Sequence, residues 1–382
     1  MLELNYLYRQ TVLKTLRILY EGYARLRGRR FRCKTLSGEA LFGCYVNSDM
    51  TVSCNCQDFD GSGQLGSLRE NRFEELFSSG RAMRLRRVLA GGRLPLARCA
   101  ACFSMETARP EIAEKDIRNY RLPKGVCIEN TILCNLRCRS CCRLKVMQTR
   151  SGGHFLSLQD VEIIGRDLHR LKAEFCGYYN LGEPFFSRNI RRELEILRNH
   201  NADMEIFIST NGVLIDNAEK RAAALVADHI VFSIDGVSTK IVQRYQRGGD
   251  FDKAYRNMKD LVSLRDSLGR KGPYIGWKYV VFRWNDKPAH IRDLLRLARE
   301  AGVDYIQMVF ARTPWYGMSW RFFSPFFRSI AKRQWRNRFV WFRKPGRDLT
   351  GLPPDAEISC WEGDRSVGEL AAEGSEEKRA AA

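Results

Sequence analysis

Four thiols crowd nine consecutive residues of this chain, "CNLRCRSCC", as Cys134, Cys138, Cys141 and Cys142. The C-x3-C-x2-C spacing of the first, second and third lets thiolates from one short loop converge on a single small centre. Soft sulfur donors favour iron-sulfur clusters or zinc. A closed structural site takes four protein ligands, whereas three leave one metal corner open for substrate or cofactor. Cys142 is the competing fourth ligand, although its side chain adjoins Cys141 and would have to double back over the same metal.

A second group lies upstream: Cys33, Cys44, Cys54 and Cys56, followed by the C-x2-C pair Cys99 and Cys102. A lone buried cysteine defaults to packing. A cysteine-rich hairpin joined by a distal C-x2-C is a metal-site arrangement, for zinc or iron-sulfur. Cys127, Cys176 and Cys360 stand alone and read as packing or tail residues, and none of the five histidines falls in a metal-like pair.

The central thiols follow the apolar run "GVCIENTI", the first of six predicted strands. The others are "CGYYNLGEP", "MEIFISTNG", "HIVFSIDG", "YIGWKYVVF" and "YIQMVF", alternating with helix-like segments as in a parallel sheet. Ligands of parallel barrels gather at the carboxyl ends of strands, so function is expected there. Residues 32–108 read as a small separate cysteine-bearing α+β domain. It has a hairpin formed by "EALFGCYVN" and "MTVSCNC", and one helix in "RENRFEELFSSGRAMRLRRVL" stopped by Gly91 and Gly92. An N-terminal helix (1–31) precedes it. A polar linker (109–124) leads into the strand-helix alternation (125–312), and the tail (345–382) is expected to be disordered.

The 382 residues are 44% hydrophobic, enough for a real core in two or three domains. Charges interrupt every apolar run of the first thirty residues, so no signal-peptide core is visible and a reducing cytoplasm is expected. The net charge of +20 is spread over the whole chain without a nucleic-acid module, which reads as solvation by arginine. Residues 319–344 concentrate it, mixing nine aromatics with eight arginines and lysines. The preferred reading is a terminal helix covering the sheet with its cations snorkelling. Contact with an anionic membrane surface ranks second, and nucleic-acid stacking is disfavoured.

These residues resemble the radical S-adenosylmethionine superfamily, whose signature is this cysteine spacing in the loop after the first barrel strand. The likeness runs from near Gly125 to near Arg312. "NLGEP" resembles the family's Gly-Glu-Pro element, which implies that Gly182, Glu183 and Pro184 receive the methionine amino group. "STNG" resembles its ribose-contacting element, pointing to Ser209 and Asn211. "SIDG" ends the fourth strand, with Ser233 and Arg247 implied near the methionine carboxylate. Ser140 stands where the family usually places an aromatic or bulky apolar residue against adenine.

The resemblance implies a partial (β/α)6 barrel and a 4Fe-4S cluster on Cys134, Cys138 and Cys141. It further implies reductive cleavage of S-adenosylmethionine to a 5'-deoxyadenosyl radical that abstracts hydrogen from a substrate carbon. An electron donor such as flavodoxin or ferredoxin would serve it, and the substrate would be a sugar-like small molecule or a peptide. Residues 32–108 resemble SPASM/twitch auxiliary-cluster domains, here placed before the barrel instead of after it. That likeness implies a second 4Fe-4S cluster on Cys54, Cys99, Cys102 and Cys33, with Cys44 or Cys56 as alternative ligands, and a two-electron oxidation or tailoring reaction. The reading from another class is a zinc or iron-sulfur protein that binds nucleic acid without radical chemistry, and it leaves the strand-end elements unexplained.

Overall fold

The computed structural model describes residues 2–40, 42–54, 58, 60–150, 152–311, 315–323 and 338–343. Two compact units divide the chain, one of residues 1–135 and 141–208, the other of residues 136–140 and 209–382.

The first unit opens with helix α1 (Leu2–Leu26), then β1 (Arg30–Cys33), the one-turn α2 (Lys34–Ser37), β2 (Cys44–Val46), β3 (Thr51–Ser53) and β4 (Gln64–Ser67). The expected hairpin is present: β2 and β3 pair antiparallel, with Tyr45 opposite Ser53. The expected single helix is two, α3 (Phe73–Ser78) and α4 (Gly80–Ala90). Ser79 breaks it, because its hydroxyl donates to Leu76 O at 2.7 Å and accepts from Ala82 N, closing one helix and capping the next. Arg86 of α4 is buried, donating to Leu36 O and Phe77 O and stacking 3.7 Å from the Tyr120 ring, so it bolts α4 to the preceding turns. β5 (Met105–Ala108) pairs with β1, and α5 (Pro110–Arg118), with Pro110 at its first turn, occupies the stretch read as a linker.

β6 (Gly125–Ile128) is buried at every position, as expected of a parallel strand covered on both faces. The cysteine loop and α6 (Arg143–Thr149) follow, then α7 (Leu158–Leu171), β7 (Phe175–Tyr178), α8 (Ile190–His200) and β8 (Glu205–Thr210). α7 begins in a reciprocal cap between Ser157 and Asp160 and buries Val161, Ile164 and Leu168 at helical spacing. β6, β7 and β8 pair in parallel in that order. On the other edge of β6 lies β2, also parallel, with Val46 beside Ile128. The N-terminal hairpin therefore continues the sheet that carries the cysteine loop.

The second unit holds α9 (Ala218–Ala224), β9 (His229–Ser233), α10 (Thr239–Val242), α11 (Phe251–Ser267), β10 (Tyr274–Val281), α12 (Pro288–Ala301) and β11 (Tyr305–Phe310). β9, β10 and β11 are parallel neighbours. Gly276 faces Tyr305 across the β10–β11 pair, and a Cβ there would lie 2.3 Å from the Tyr305 ring. The fold is thus α/β with mostly parallel strands.

The aromatic and basic stretch differs from expectation. Residues 338–343 form strand β12, antiparallel to β11, where a helix was expected. "RFVWFR" is dense in β-branched and aromatic residues, which favour a pleated strand over a helix. Residues 324–337, the tail 345–382, Cys56 and Cys360 lie outside the described residues. Among the described residues, no helix is long and apolar enough to cross a membrane.

Arg265 of α11 and Asp304 form an ion pair with both side chains fully buried, 2.5 Å apart. Asp304 also accepts from Ile275 N at 2.7 Å, and Arg265 donates to Pro273 O, so the pair fixes the start of β10. Removing one partner strands a buried charge. Asp304→Ala is expected to lower unfolding free energy by about 3–5 kcal/mol in denaturant titrations.

Candidate functional site: the cysteine loop and the strand ends

In the first unit, Cys134, Cys141, Gly182, Glu183 and Pro184 are carried by the ends of β6 and β7. The two strand ends are drawn together by backbone. Glu183 N–H donates to Leu133 O at 2.8 Å, one residue before Cys134. A Cβ at Gly182 would lie 1.8 Å from Thr131 O. Only glycine permits that approach, so the Gly-Glu-Pro turn rests on the root of the cysteine loop. Glu183 is 2% exposed, and its carboxylate accepts from Phe185 N at 3.3 Å.

Two acids that the sequence reading missed hold this arrangement. Glu129, immediately after β6, accepts from Leu181 N at 3.2 Å and is paired with Arg150. Glu193 of α8 gathers Tyr178 Oη at 2.8 Å, Asn130 Nδ2 at 2.9 Å and Ser187 Oγ at 2.5 Å, while Asn130 also donates to Pro184 O. Burial raises both carboxyls above their ordinary value, and their hydrogen bonds oppose it. Neither residue belongs to a spacing pattern; the one available signal was a polar "ENT" inside an apolar strand run.

Cys141 is raised by burial, opposed by the Arg143 backbone N–H and guanidinium, with Glu129 adding to the rise. Cys142 starts α6 and packs on the cluster of Ile132 and Val146. Hence the fourth thiol has a packing role of its own.

In the second unit, residues 136–140 dock on the turn after α10. Arg137 N–H donates to Arg247 O at 2.9 Å and Arg139 N–H to Tyr245 O at 3.0 Å. That places Cys138 beside the segment carrying Arg247. Gln246, also missed, joins Arg247's neighbourhood to Ser233: its side chain donates to Ser233 O at 2.8 Å and accepts from Asp235 N at 2.9 Å. Asn211 turns the chain after β8, accepting from Val213 N, with Gly212 at φ +78. Ser209 is half-buried at the end of β8.

Within the loop, Arg139 Nε and Ser140 Oγ are buried without a hydrogen-bond partner. Buried polar atoms of that kind ask for a partner. Together with Cys138 of the same unit, they suit residues 136–140 to a soft, anion-bearing group such as an iron-sulfur cluster. Among the described residues, no three Cys, His, Asp or Glu side chains are gathered closely enough to hold a metal ion as they stand.

The N-terminal thiols are neighbours within the first unit. Burial and then Cys102 and Cys99 raise Cys33 to about 12; burial and then Cys54 raise Cys99 to about 12. Burial and Cys54 raise Cys44 as well. Five of the six predicted thiols therefore act on one another in pairs, without three of them gathered closely enough to hold a metal as they stand, and Cys56 is outside the described residues. As metal-free protein Cys33, Cys44, Cys99 and Cys102 are neutral thiols, which a soft cation would deprotonate on binding.

Two outcomes follow from the site. Gly182→Ala pushes a methyl into Thr131 O and is expected to cost about 1–3 kcal/mol, read as a fall in the melting temperature of the metal-free chain. Burial raises the Asp235 carboxyl to about 6 from 3.8, opposed by Val280 N–H and Lys278. Its folded value lies above its unfolded one, so the folded chain holds the extra proton between those values and stability falls as pH rises through 6. Asp235→Asn, which retains an acceptor for Val280 N–H, is expected to be neutral near pH 4 and to stabilise by roughly 3 kcal/mol at pH 7.5, by thermal unfolding.

The model of the Radical SAM superfamily matches residues 129–270. GTP 3',8-cyclase of Alkaliphilus oremlandii is 26% identical over 153 residues, 39% of this chain and 46% of that protein. A protein named GTPase Obg, of Brachyspira hyodysenteriae, is 22% identical over 195 residues, half of this chain and 27% of its own length. The chain therefore spans about half, or less, of the length of these curated relatives. Streptococcus suis SuiB, in a crystal structure bound to S-adenosylmethionine, aligns with a TM-score of 0.42 at 16% identity, covering 76% of this chain and 64% of SuiB. Over the segment that bears the cysteine loop and the strand ends β7, β8 and β9, this chain carries a Radical SAM superfamily domain.

Proposed function

We propose that the chain is a radical S-adenosylmethionine enzyme with a second metal site. Cys134, Cys138 and Cys141 hold a 4Fe-4S cluster, leaving one iron for the methionine amino and carboxylate groups. When bound, the pair supplies one-electron cleavage of the sulfonium and a 5'-deoxyadenosyl radical able to take hydrogen from an unactivated carbon. Gly182 and Glu183 seat the amino end, Ser233 and Arg247 the carboxylate, and Ser209 and Asn211 the ribose. Glu183 acts by position, since a buried carboxylate at the strand end can receive an ammonium group without proton transfer. The observation that carries this reading is the closure of the Gly-Glu-Pro turn onto the loop root, through Glu183 N–H to Leu133 O at 2.8 Å.

Cys33, Cys54, Cys99 and Cys102 hold a second 4Fe-4S cluster, with Cys44 or Cys56 able to replace Cys33. Four protein ligands suit it to electron transfer, which makes the net reaction a two-electron oxidation or tailoring step. The substrate class is a sugar-like small molecule or a peptide, and a flavodoxin or ferredoxin supplies the electron. Barrel loops that choose a substrate carry no spacing rule, so the chemistry and not the substrate is what the residues specify.

The test is anaerobic reconstitution with iron, sulfide, reductant and S-adenosylmethionine, scoring 5'-deoxyadenosine. The full chain is expected to produce it and Cys138→Ala to produce none; full activity in Cys138→Ala would refute the assignment. Metal analysis is expected to return about eight irons per chain. About four irons with one zinc would assign the N-terminal thiols to a structural zinc site instead.

A further inference from the structure

One line of buried polar side chains runs through the first unit and belongs to neither site's ligand set. It begins at Glu129, which accepts from Leu181 N. Arg150 pairs with Glu129 and donates through Nη2 to Asn47 Oδ1 at 2.8 Å. Asn47 Nδ2 donates to Ser53 Oγ at 3.0 Å, and Ser53 Oγ donates to Asp58 Oδ2 at 3.1 Å. Asp58 accepts from Arg98 Nη1 at 2.9 Å, and Arg98 directly precedes Cys99. Glu129, Asn47, Ser53 and Asp58 are all at most 4% exposed.

The charges alternate along this line, with the acid–arginine pairs Glu129–Arg150 and Asp58–Arg98 joined by two neutral links. Every acid of the line is thereby paired with an arginine and every link is hydrogen-bonded, Arg150 Nε being the one member atom buried without a partner among the described residues. Its far end grips both N-terminal cysteine segments. Arg98 comes from the turn bearing Cys99 and Cys102, and it also binds Asp60 and Ser62 of the loop that follows Cys54. Its near end is the residue after β6 that catches the Gly-Glu-Pro turn. The hairpin tip is pressed on the same region: Ser48 Oγ donates to Gly153 O, and a Cβ at Gly152 would lie 2.3 Å from Asp49 Cβ.

We propose that Glu129, Arg150, Asn47, Ser53, Asp58 and Arg98 form one polar strut that holds the N-terminal thiol group in fixed register with the strand end where the cysteine loop begins. Its members are positioning residues. The strut stands on geometry independent of bound metal; only its influence on electron passage rests on the function proposed above.

Ser53 is the link to cut, because Ser53→Ala leaves both ion pairs intact and deletes one hydroxyl. Amide exchange of the full-length metal-free chain reads the result. Ser53→Ala is expected to speed exchange about threefold or more at both remote ends, the 97–102 turn and the Leu181 amide, with Ser53→Thr restoring protection. Arg98→Lys, which keeps the charge and loses the fork, is expected to reach the Leu181 amide from the opposite end. Acceleration confined to residues 51–58 in Ser53→Ala, or to the 97–102 turn in Arg98→Lys, overturns the strut. In reconstituted protein, Ser53→Ala is expected to shift the reduction potential of the N-terminal centre with iron per chain unchanged, and Ser53→Thr to return it. An unshifted potential removes the electronic role. An iron count short of two clusters in the unsubstituted chain counts against the function reading, and the exchange result decides the strut separately.

Discussion

The contact on which the rest of the first unit depends is the approach of Gly182 to the Thr131 and Leu133 carbonyls. Two neighbouring parallel strands diverge into loops at their carboxyl ends, and nothing in sheet pairing alone brings those loops back together. Here a residue without a side chain, one backbone hydrogen bond and two buried acids do so. Glu129 holds the Leu181 amide at the turn, while Glu193 collects Tyr178, Asn130 and Ser187. The glycine of a motif read for ligand contact thus has a second physical reason to be glycine, and the two reasons are compatible. The bare backbone that allows close approach also leaves Glu183 held at a defined place.

Much of this was legible in the sequence because it depends on local pattern. The six strands of the alternating region appear on the six apolar runs, several of which end in glycine or asparagine, and the hairpin of β2 and β3 lies where its turn residues put it. The thiol loop was legible through spacing alone. What stayed hidden depends on partners distant in sequence. Nothing in "CYV" says that β2 will lie parallel to β6, since a three-residue strand carries too little pattern to choose its neighbour. Gln246, Glu193 and Arg150 bind through contacts whose other halves are many residues away. The split between α3 and α4 was visible in principle, because Ser78, Ser79 and Gly80 are a stop and start signal inside a helix-like run. β12 was missed because its alternation is short and lies within a longer basic stretch that reads as amphipathic.

The pairing of β2 with β6 changes the meaning of the upstream cysteines. As a free-standing domain they would have no defined position relative to the central loop. As an extension of the same sheet, Cys44 lies beside Val126, two residues before the end of β6. Sheet register is a rigid reference, since a slip by one residue would turn buried Val46 outward. Hydrogen bonding along the backbone therefore fixes the coarse placement of the upstream thiols, and side-chain links across the hairpin refine it.

The arginine content reads differently once side chains are placed. A net charge of +20 suggested solvation, and part of it is that. Yet Arg86 and Arg265 are at most 2% exposed, and the Arg150 side chain is 7% exposed. Each of these guanidiniums ties backbone or acids from separate elements: Arg86 joins Leu36 and Phe77, Arg265 joins Pro273 and Asp304, Arg150 joins Glu129 and Asn47. A planar fork with five donors can satisfy several acceptors at once inside a low-dielectric core, which a lysine ammonium on a flexible stem does poorly. Desolvating a guanidinium is costly, so such residues persist only where their partners are fixed in place. Their partners consequently mark joints of the fold: Arg265 binds Pro273 at the start of β10, and Arg150 binds Glu129 at the end of β6.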